Sequence, residues 1–271
     1  MTIAAGFKCS DGYVLCADTE MTYADLYKES RAKLRARKLP NCDLYWAICG
    51  SVVDFVNMLM GKIVEAVEEC PNNMQDIRAG IERICIEVSN TYPNHPPTEI
   101  PLLIHEPQTD NIKFVKLSGP VVSPVSDWVC VGTGQPLASY LIGGIYQRTM
   151  RMQDVGILAA YALTHVKRHA FGCGGASQIV MVSNDGSVNP FMTKGPGETN
   201  QEQEDFEKYA IELDRAIKRF SLGVIGERLG REEFEVNLRT LADSLRKISE
   251  ERIARVEADR ADLDSFIQAE E

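Results

Sequence analysis

Apolar and polar positions at the start of the chain predict a β-hairpin. One apolar run begins at residue 3 and a second covers residues 13–17, with the turn signal Asp11-Gly12 between them. We therefore expect the first strand to start at residue 2, with no leader before it. The second strand ends on Asp18, so the antiparallel return brings Asp18 next to Thr2.

A second hairpin is predicted further along the chain. Residues 33–39 and 44–49 are its strands, and residues 40–42 supply the turn. Both hairpins are expected in one antiparallel sheet, with the polar stretch 19–32 as a loop between them. The many charges of residues 31–38 leave a solvated basic helical turn as the alternative interpretation.

From residue 52 the hydrophobic period changes to that of a helix. Apolar side chains at 52–67 share one helical face behind the N-cap candidate Ser51, and a second stripe covers residues 77–88. Two consecutive helices after a sheet predict an antiparallel pair covering one sheet face. The remaining predicted elements are strands at 102–105, 112–117, 121–124 and 128–131, helices at 136–150 and 155–169, and strands at 178–183 and 187–191.

Blocks of strands that alternate with pairs of helices predict an α+β domain with helices outside packed antiparallel sheets. We assign this domain to residues 1–194. Residues 195–271 follow a Gly-Pro-Gly break and carry apolar positions at helical spacing among many charges. They are predicted to be a charged helical extension. Two roles stay open for it: a solvated extension that packs on the body, or an oligomerisation or docking arm.

Charge is unevenly distributed over the 271 residues, which carry a net charge of −10. Residues 195–271 hold 20 Asp and Glu against 12 Lys and Arg, so −8 lies in this segment. A nucleic-acid surface needs clustered Lys and Arg. The balance therefore argues against nucleic acid as a partner. The 44% hydrophobic content is enough to bury a sizeable core.

The eight cysteines form no C-x-x-C pair, and most of them lie within apolar runs. They are interpreted as buried small side chains in a reducing cytosol. The four histidines show no ligand pattern with them, so no metal and no cofactor are predicted. No apolar run reaches 18 residues, and we expect a cytoplasmic protein that does not bind a membrane.

Thr2 is the candidate nucleophile. Cytosolic aminopeptidases usually remove Met1 when the next residue is as small as threonine. Thr2 would then carry a free α-amine, with a pKa of about 7.7–8.0, beside its own hydroxyl. Such an amine can take the hydroxyl proton directly or through one water. The alternative is that Thr2 merely begins a strand.

The N-terminal residues resemble the mature N-terminus of proteasome β-subunits, which are N-terminal-nucleophile threonine hydrolases. The resemblance lies in Thr2-Ile3, in residues 10–15, in Ala17-Asp18 and in Thr22, and it continues more weakly through residues 49–51 and 131–134. It covers residues 2–192. It implies a four-layer αββα sandwich of two antiparallel sheets and a threonine peptidase that forms an acyl-enzyme.

The resemblance also implies a catalytic set around Thr2. Asp18 would orient the amine and a lysine, whose positive charge favours the ionised hydroxyl. In the family this lysine opens the strand paired with the one that ends before the oxyanion glycine. Lys33 opens the strand here, whereas Lys38 lies beside the turn, so Lys33 is favoured and Lys38 is the alternative.

Further site residues are carried over from the same resemblance. Gly50 would donate its backbone N–H to the oxyanion. Thr22, Gly50 and Val52 would pair their backbones with an extended peptide substrate. Thr133 stands where the family has a serine near the nucleophile, and its hydroxyl could substitute.

Two departures from the family pattern keep other functions open. His169 stands where many members have an aspartate, and Gly172 or Cys173 stands where they have a serine. His169 is better interpreted as a cation at a helix C-terminus. The main hypothesis is a peptidase of peptide or protein substrates, in a homo-oligomeric ring with an unfoldase as a potential partner. The alternatives are an inactive proteasome-like structural subunit and a non-compartmentalised small-molecule amidase of the same nucleophile class.

Overall fold

Antiparallel pairing of short strands dominates the first 192 residues. The computed structural model describes residues 2–23, 27–49, 53–70, 73–95, 98–109 and 111–192, and single helical positions between 210 and 243. The chain divides into two units, Met1–Gln203 and Glu204–Glu271. The predicted boundary between residues 194 and 195 stays a prediction.

The described residues of the first unit form four helices and three sheets, which confirms the predicted α+β class. The first hairpin and the helix pairs fall in the predicted order. The elements are β1 (Ile3–Lys8), β2 (Gly12–Asp18), β3 (Glu20–Tyr23), β4 (Tyr27–Ser30), β5 (Leu34–Lys38), β6 (Asp43–Ala47), α1 (Val53–Glu68), α2 (Met74–Thr91), β7 (Glu99–Glu106), β8 (Asn111–Ser118), β9 (Val121–Pro124), β10 (Trp128–Gly132), α3 (Gln135–Gly143), α4 (Met152–His169), β11 (Ser177–Ser183) and β12 (Val188–Met192).

Two of the sheets have five strands each. The first has the order β10-β1-β2-β11-β12 and the second the order β5-β6-β7-β8-β9, while β3 and β4 form a separate pair. Every pairing among these strands is antiparallel. The two predicted hairpins therefore lie in different five-stranded sheets, because β1 and β2 belong to the first and β5 and β6 to the second.

Side chains from both five-stranded sheets share two buried clusters. Leu15 of the first sheet packs with Leu103 and Phe114 of the second, and Ala17 packs with Ala47 in the other cluster. Successive residues of a strand point to opposite faces of a sheet. The odd-numbered residues of β2 thus face the second sheet, and its even-numbered residues face the other way.

Helices cover the opposite face of the second sheet. Leu44 and Trp46 of β6 share a cluster with Met60 and Ile63 of α1 and with Ile81 of α2. On the first sheet, α4 packs on β2 and β11, and α3 packs on α4 and β10. Fully burying an aliphatic side chain contributes about 1.5–3 kcal/mol, so these clusters stabilise the layers they join.

The stretch 19–32 is not the loop that its polarity predicted. It forms β3 and β4, whose first and last residues pair as Glu20 with Ser30. Contacts far apart in sequence hold it: Thr19 N–H donates to the Ala176 carbonyl (3.0 Å) and Glu20 N–H donates to the Gly174 carbonyl (3.0 Å). Strands that are held by backbone hydrogen bonds need no alternation of apolar side chains. The sequence therefore carries no strand signal here, and the predicted loop was wrong.

The third helix is shorter than predicted. It ends at Gly143 rather than at Met150, and Gly144 follows it directly. Glycine is about 1 kcal/mol less favourable than alanine in a helix, so two in succession end it. The chain then turns, and the Tyr146 hydroxyl holds the turn by donating to the Lys8 carbonyl (2.5 Å).

The second unit is described at eight scattered positions only, and these are helical, Ala210 and Asp243 among them. The apolar positions predicted there at helical spacing lie outside the described residues, as does the N-cap candidate Ser51. In the part of the chain that is described, no helix combines the length and the apolar character needed to cross a bilayer.

Gly6 tests how closely the two five-stranded sheets approach each other. A Cβ at Gly6 would lie 2.5 Å from Phe114 Cζ and 2.9 Å from Leu15 Cδ2. We expect Gly6→Val to lower the free energy of unfolding by about 2 kcal/mol through overpacking, measured by urea denaturation. Gly61 of α1 has open space at its Cβ position and is the matched control. Gly61→Ala should raise the free energy of unfolding by about 0.5–1 kcal/mol. Equal effects of the two variants would contradict close packing at Gly6.

Candidate active site

The first hairpin sets Thr2 beside Asp18. Ala4 pairs with Ala17 in the register of β1 and β2, which puts the residue before β1 next to the last residue of β2. Thr2 Oγ1 donates a hydrogen bond to Asp18 Oδ1 at 2.5 Å, and Ile3 N–H donates to the same oxygen at 3.2 Å. Thr2 is 2% exposed and Asp18 is fully buried.

Lys33 completes the group from the second sheet. It immediately precedes β5, and its Nζ donates to Thr2 Oγ1, to Asp18 Oδ1 (2.5 Å) and to the Glu20 carbonyl (2.5 Å). An ammonium group has three protons, so these three acceptors match its donors. Lys38 is the last residue of β5, where it is exposed and pairs with Asp43. The structure thus brings Lys33, and not Lys38, to Thr2.

Lys33 is the group of this arrangement that can stabilise negative charge on Thr2 Oγ1, whereas the Asp18 carboxylate, to which Oγ1 donates, favours the neutral hydroxyl. A cation at hydrogen-bonding distance stabilises a developing negative charge on Oγ1, and the surroundings exclude water, which strengthens the interaction. Asp18 offsets the charge of Lys33 and accepts a further hydrogen bond at Oδ2 from Gly174 N–H (2.9 Å). The buried carboxylate and ammonium are therefore both paired.

Gly132 makes room for Thr2 at the end of β10. Its φ is +101°, a value that side-chain-bearing residues rarely adopt. A Cβ there would run into the Thr2 carbonyl oxygen, and it would lie 2.7 Å from Cys49 Sγ. Gly134 N–H donates to that same Thr2 carbonyl at 3.3 Å. The turn between β10 and α3 thus holds the backbone of the candidate nucleophile.

Other predicted site residues are placed less directly. Thr22 lies in β3 opposite Lys28, and Thr133 is exposed on the turn after β10, outside the network that the described residues form. His169 is the last residue of α4, where its ring lies close to the helix C-terminus. Gly50 and Val52 lie outside the described residues, so their predicted roles toward the oxyanion and substrate stay predictions.

Two buried thiols lie close to the charged groups of this site. Burial raises the pKa of Cys49 and of Cys173 to about 12, and the charge of Lys33 lowers each of them only in part. Both thiols are consequently neutral at pH 7 and add no charge to the site. No group of His, Cys, Asp and Glu side chains in the described ranges is arranged to hold a metal ion.

Three contributors to the network were missed from the sequence: the Glu20 carbonyl, the Gly174 N–H and the Gln178 side chain. Gln178 Oε1 accepts hydrogen bonds from Lys33 N–H (2.7 Å) and Leu34 N–H (3.2 Å). A polar residue beside the apolar run of β11 is a weak signal of such a contact. The other two contacts come from backbone groups, which any residue type carries.

The fold matches solved structures of Anbu proteins. The Anbu (Gly-1) mutant from Hyphomicrobium sp. strain MC1 is 12% identical with a TM-score of 0.67, covering 80% of this chain and 97% of that chain. Anbu from Yersinia bercovieri, described as an ancestral beta-subunit, is 12% identical with a TM-score of 0.65, covering 84% and 98%. The Anbu complex from Pseudomonas aeruginosa, solved as a helical assembly, is 9% identical with a TM-score of 0.65, covering 80% and 96%. At these identities the likeness is one of fold.

No family model and no curated protein matches the chain. These comparisons correct the family resemblance that was drawn from the N-terminal residues. The neighbours are Anbu proteins, with which the expected proteasome-like fold agrees, but membership of the proteasome β-subunit family is not shown. One hairpin and a few short motifs carried the resemblance, whereas the chain is only 12% and 9% identical to these solved structures.

Replacing Lys33 tests whether the buried charge of Asp18 needs the positive charge of Lys33 for the stability of the fold. We expect Lys33→Met to lower the free energy of unfolding by about 3 kcal/mol, because it leaves a buried carboxylate without its cation. The double variant with Asp18→Asn should lose less than the sum of the two single variants, as measured by urea denaturation of all four proteins.

The partly exposed pair Lys116–Glu99, 3.1 Å apart, supplies the control. Lys116→Met there should cost less than about 1 kcal/mol. Additive losses for Asp18 and Lys33 would contradict a direct interaction between them.

Proposed function

We propose that the chain is a threonine peptidase that becomes active when Met1 is removed and Thr2 carries the free α-amine. The contact of Lys33 Nζ with Thr2 Oγ1, beside Asp18, carries this proposal. A buried hydroxyl with a cation on one side and a carboxylate on the other is arranged for nucleophilic chemistry rather than for packing. Peptides are proposed as substrates because the resemblance implies that Thr22, which lies on β3, pairs its backbone with an extended peptide.

The proposed reaction proceeds through an ester on Thr2. The α-amine takes the hydroxyl proton, directly or through one water, while Oγ1 attacks the scissile carbonyl carbon. Lys33 stabilises the charge on Oγ1, and the tetrahedral oxyanion accepts the Gly50 N–H in the predicted arrangement. Collapse breaks the C–N bond, and the ammonium returns its proton to the leaving amine. Water then hydrolyses the ester with the amine as base and frees Thr2.

The proposal extends to architecture and assembly. The shared clusters between the five-stranded sheets, and the helices packed on them, support the layer order α, β, β, α for residues 1–194, with 195–271 as a helical extension. The Pseudomonas aeruginosa Anbu complex was solved as a helical assembly, and by likeness of fold we propose that this chain forms homo-oligomers. A cytoplasmic location accords with removal of Met1 by cytosolic aminopeptidases.

Covalent labelling of Thr2 tests the proposed chemistry. Mass spectrometry of the purified protein should show loss of Met1 and one adduct on Thr2 after incubation with a peptide epoxyketone or β-lactone. Thr2→Ala should abolish the adduct and lower peptide hydrolysis by roughly 10³-fold or more, whereas Thr2→Ser keeps both groups and should still be labelled. Retained Met1 with no adduct on the parent protein would instead favour an inactive structural subunit.

Assembly is tested by measuring mass in solution. Light scattering of the full chain and negative-stain images should show a homo-oligomer, as a closed ring or as an open helical array. The same measurement on a chain that ends at residue 194 shows whether the extension is needed. A monomer that hydrolyses small amides but not peptides would contradict the proposed assembly and substrate class together.

A further inference from the structure

Gln178 connects the two five-stranded sheets at the candidate site. It lies on β11 of the first sheet, is 5% exposed, and pairs with Ala17, a residue that faces the second sheet. Its Oε1 accepts the N–H groups of Lys33 (2.7 Å) and Leu34 (3.2 Å), which belong to the start of β5. One side-chain oxygen thus joins β11 to β5.

Among the described residues, the Lys33 backbone has one further hydrogen bond. It lies just before β5, the edge strand of its sheet, and its carbonyl accepts one bond from Ile48 N–H at 2.9 Å. A lysine side chain has four rotatable carbon bonds, so a small displacement of its backbone moves Nζ by a comparable distance. The placement of Nζ at Thr2 therefore depends on what fixes the two consecutive N–H groups.

The same strand also fixes Asp18. Ser177, the neighbour of Gln178, pairs with Asp18 in the register of β11 and β2. Asp18 is thus placed by the ladder of β11, and Lys33 is placed by a side chain of β11. Both members of the buried pair are therefore positioned by contacts with the same strand, β11.

We propose that Gln178 is a positioning residue for the reaction: it holds the Lys33 backbone so that Nζ stays on Thr2 Oγ1 and Asp18. It touches neither substrate nor the reacting atoms in this role. The inference rests on the proposed function for its catalytic consequence, whereas the clamp on Lys33 is a structural claim that holds or fails by itself.

Asn41 is a matched control because it is also a buried amide that bonds to two backbone groups. It is 2% exposed, and its Nδ2 donates to the carbonyls of Val67 (2.8 Å) and Cys70 (3.1 Å), at the end of α1. Gln178→Met and Asn41→Leu each remove two side-chain-to-backbone hydrogen bonds. If Gln178 has only a structural role, the two variants should lower the free energy of unfolding equally, and Gln178→Met should not change the reactivity of Lys33 more than Asn41→Leu does.

The experiment uses two measurements on the full chain, at a temperature where all variants are folded. The first is the rate at which a small amine-reactive anhydride modifies Lys33, read by mass spectrometry. The second is the rate at which a peptide epoxyketone forms a covalent adduct with Thr2. Gln178→Met should raise the rate of Lys33 modification about tenfold and slow Thr2 labelling about 10- to 100-fold. Asn41→Leu should leave both rates unchanged at a temperature where it is folded.

Gln178→Asn is the second variant, since it keeps an amide but shortens the reach by one carbon, and it should raise Lys33 modification in the same direction. Equal Lys33 modification in the Gln178 variants and Asn41→Leu would overturn the clamp. Faster modification of Lys33 with unchanged Thr2 labelling would overturn the positioning role. If Thr2 of the parent protein is not labelled at all, the proposed function fails, and the modification of Lys33 still decides the clamp.

Discussion

The buried pair of Asp18 and Lys33 is the interaction on which the rest of the site depends. The Asp18 side chain is fully buried and the Lys33 side chain is 3% exposed, so neither charge has water to stabilise it. Buried charges persist only where partners and hydrogen bonds replace the solvent. Asp18 accepts from Thr2, Ile3, Lys33 and Gly174, and these four donors come from three separate segments of the chain. The need to satisfy one carboxylate therefore constrains the first hairpin, the start of β5 and the loop after α4.

The sequence was sufficient for those parts of the site that local pattern determines. The turn signal at Asp11-Gly12 and the apolar runs around it predict that Thr2 and Asp18 meet, since an antiparallel hairpin brings its ends together. The resemblance to proteasome β-subunits favours Lys33 over Lys38, because the family's lysine opens a strand, and the structure places Lys33 at Thr2. The α+β class followed from the order of strand and helix patterns, although the distribution of the strands over three sheets did not.

What escaped prediction is non-local or carried by the backbone. Most side chains of β3 and β4 are polar or aromatic, with Met21 as the buried aliphatic exception, and backbone hydrogen bonds to residues 174–176 hold the start of β3. The Glu20 carbonyl and the Gly174 N–H leave no mark in the sequence, because every residue has such groups. Gln178 contacts Lys33 across 145 positions of the chain, a distance at which no periodicity operates. The motifs could likewise suggest a proteasome-like fold but not that the matching solved structures are those of Anbu proteins.

The neutral thiols beside the site show why the hydroxyl is the stronger candidate for the nucleophile. A thiol is intrinsically the better nucleophile, but only as the thiolate. Burial raises the pKa of Cys49 and Cys173 to about 12, so neither is ionised near neutral pH. The cation that could have stabilised a thiolate donates its protons to Thr2, Asp18 and the Glu20 carbonyl instead. Among the described residues, the buried ammonium of Lys33 donates to Oγ1 and to neither sulfur, so the geometry favours Thr2 over both cysteines as the candidate nucleophile.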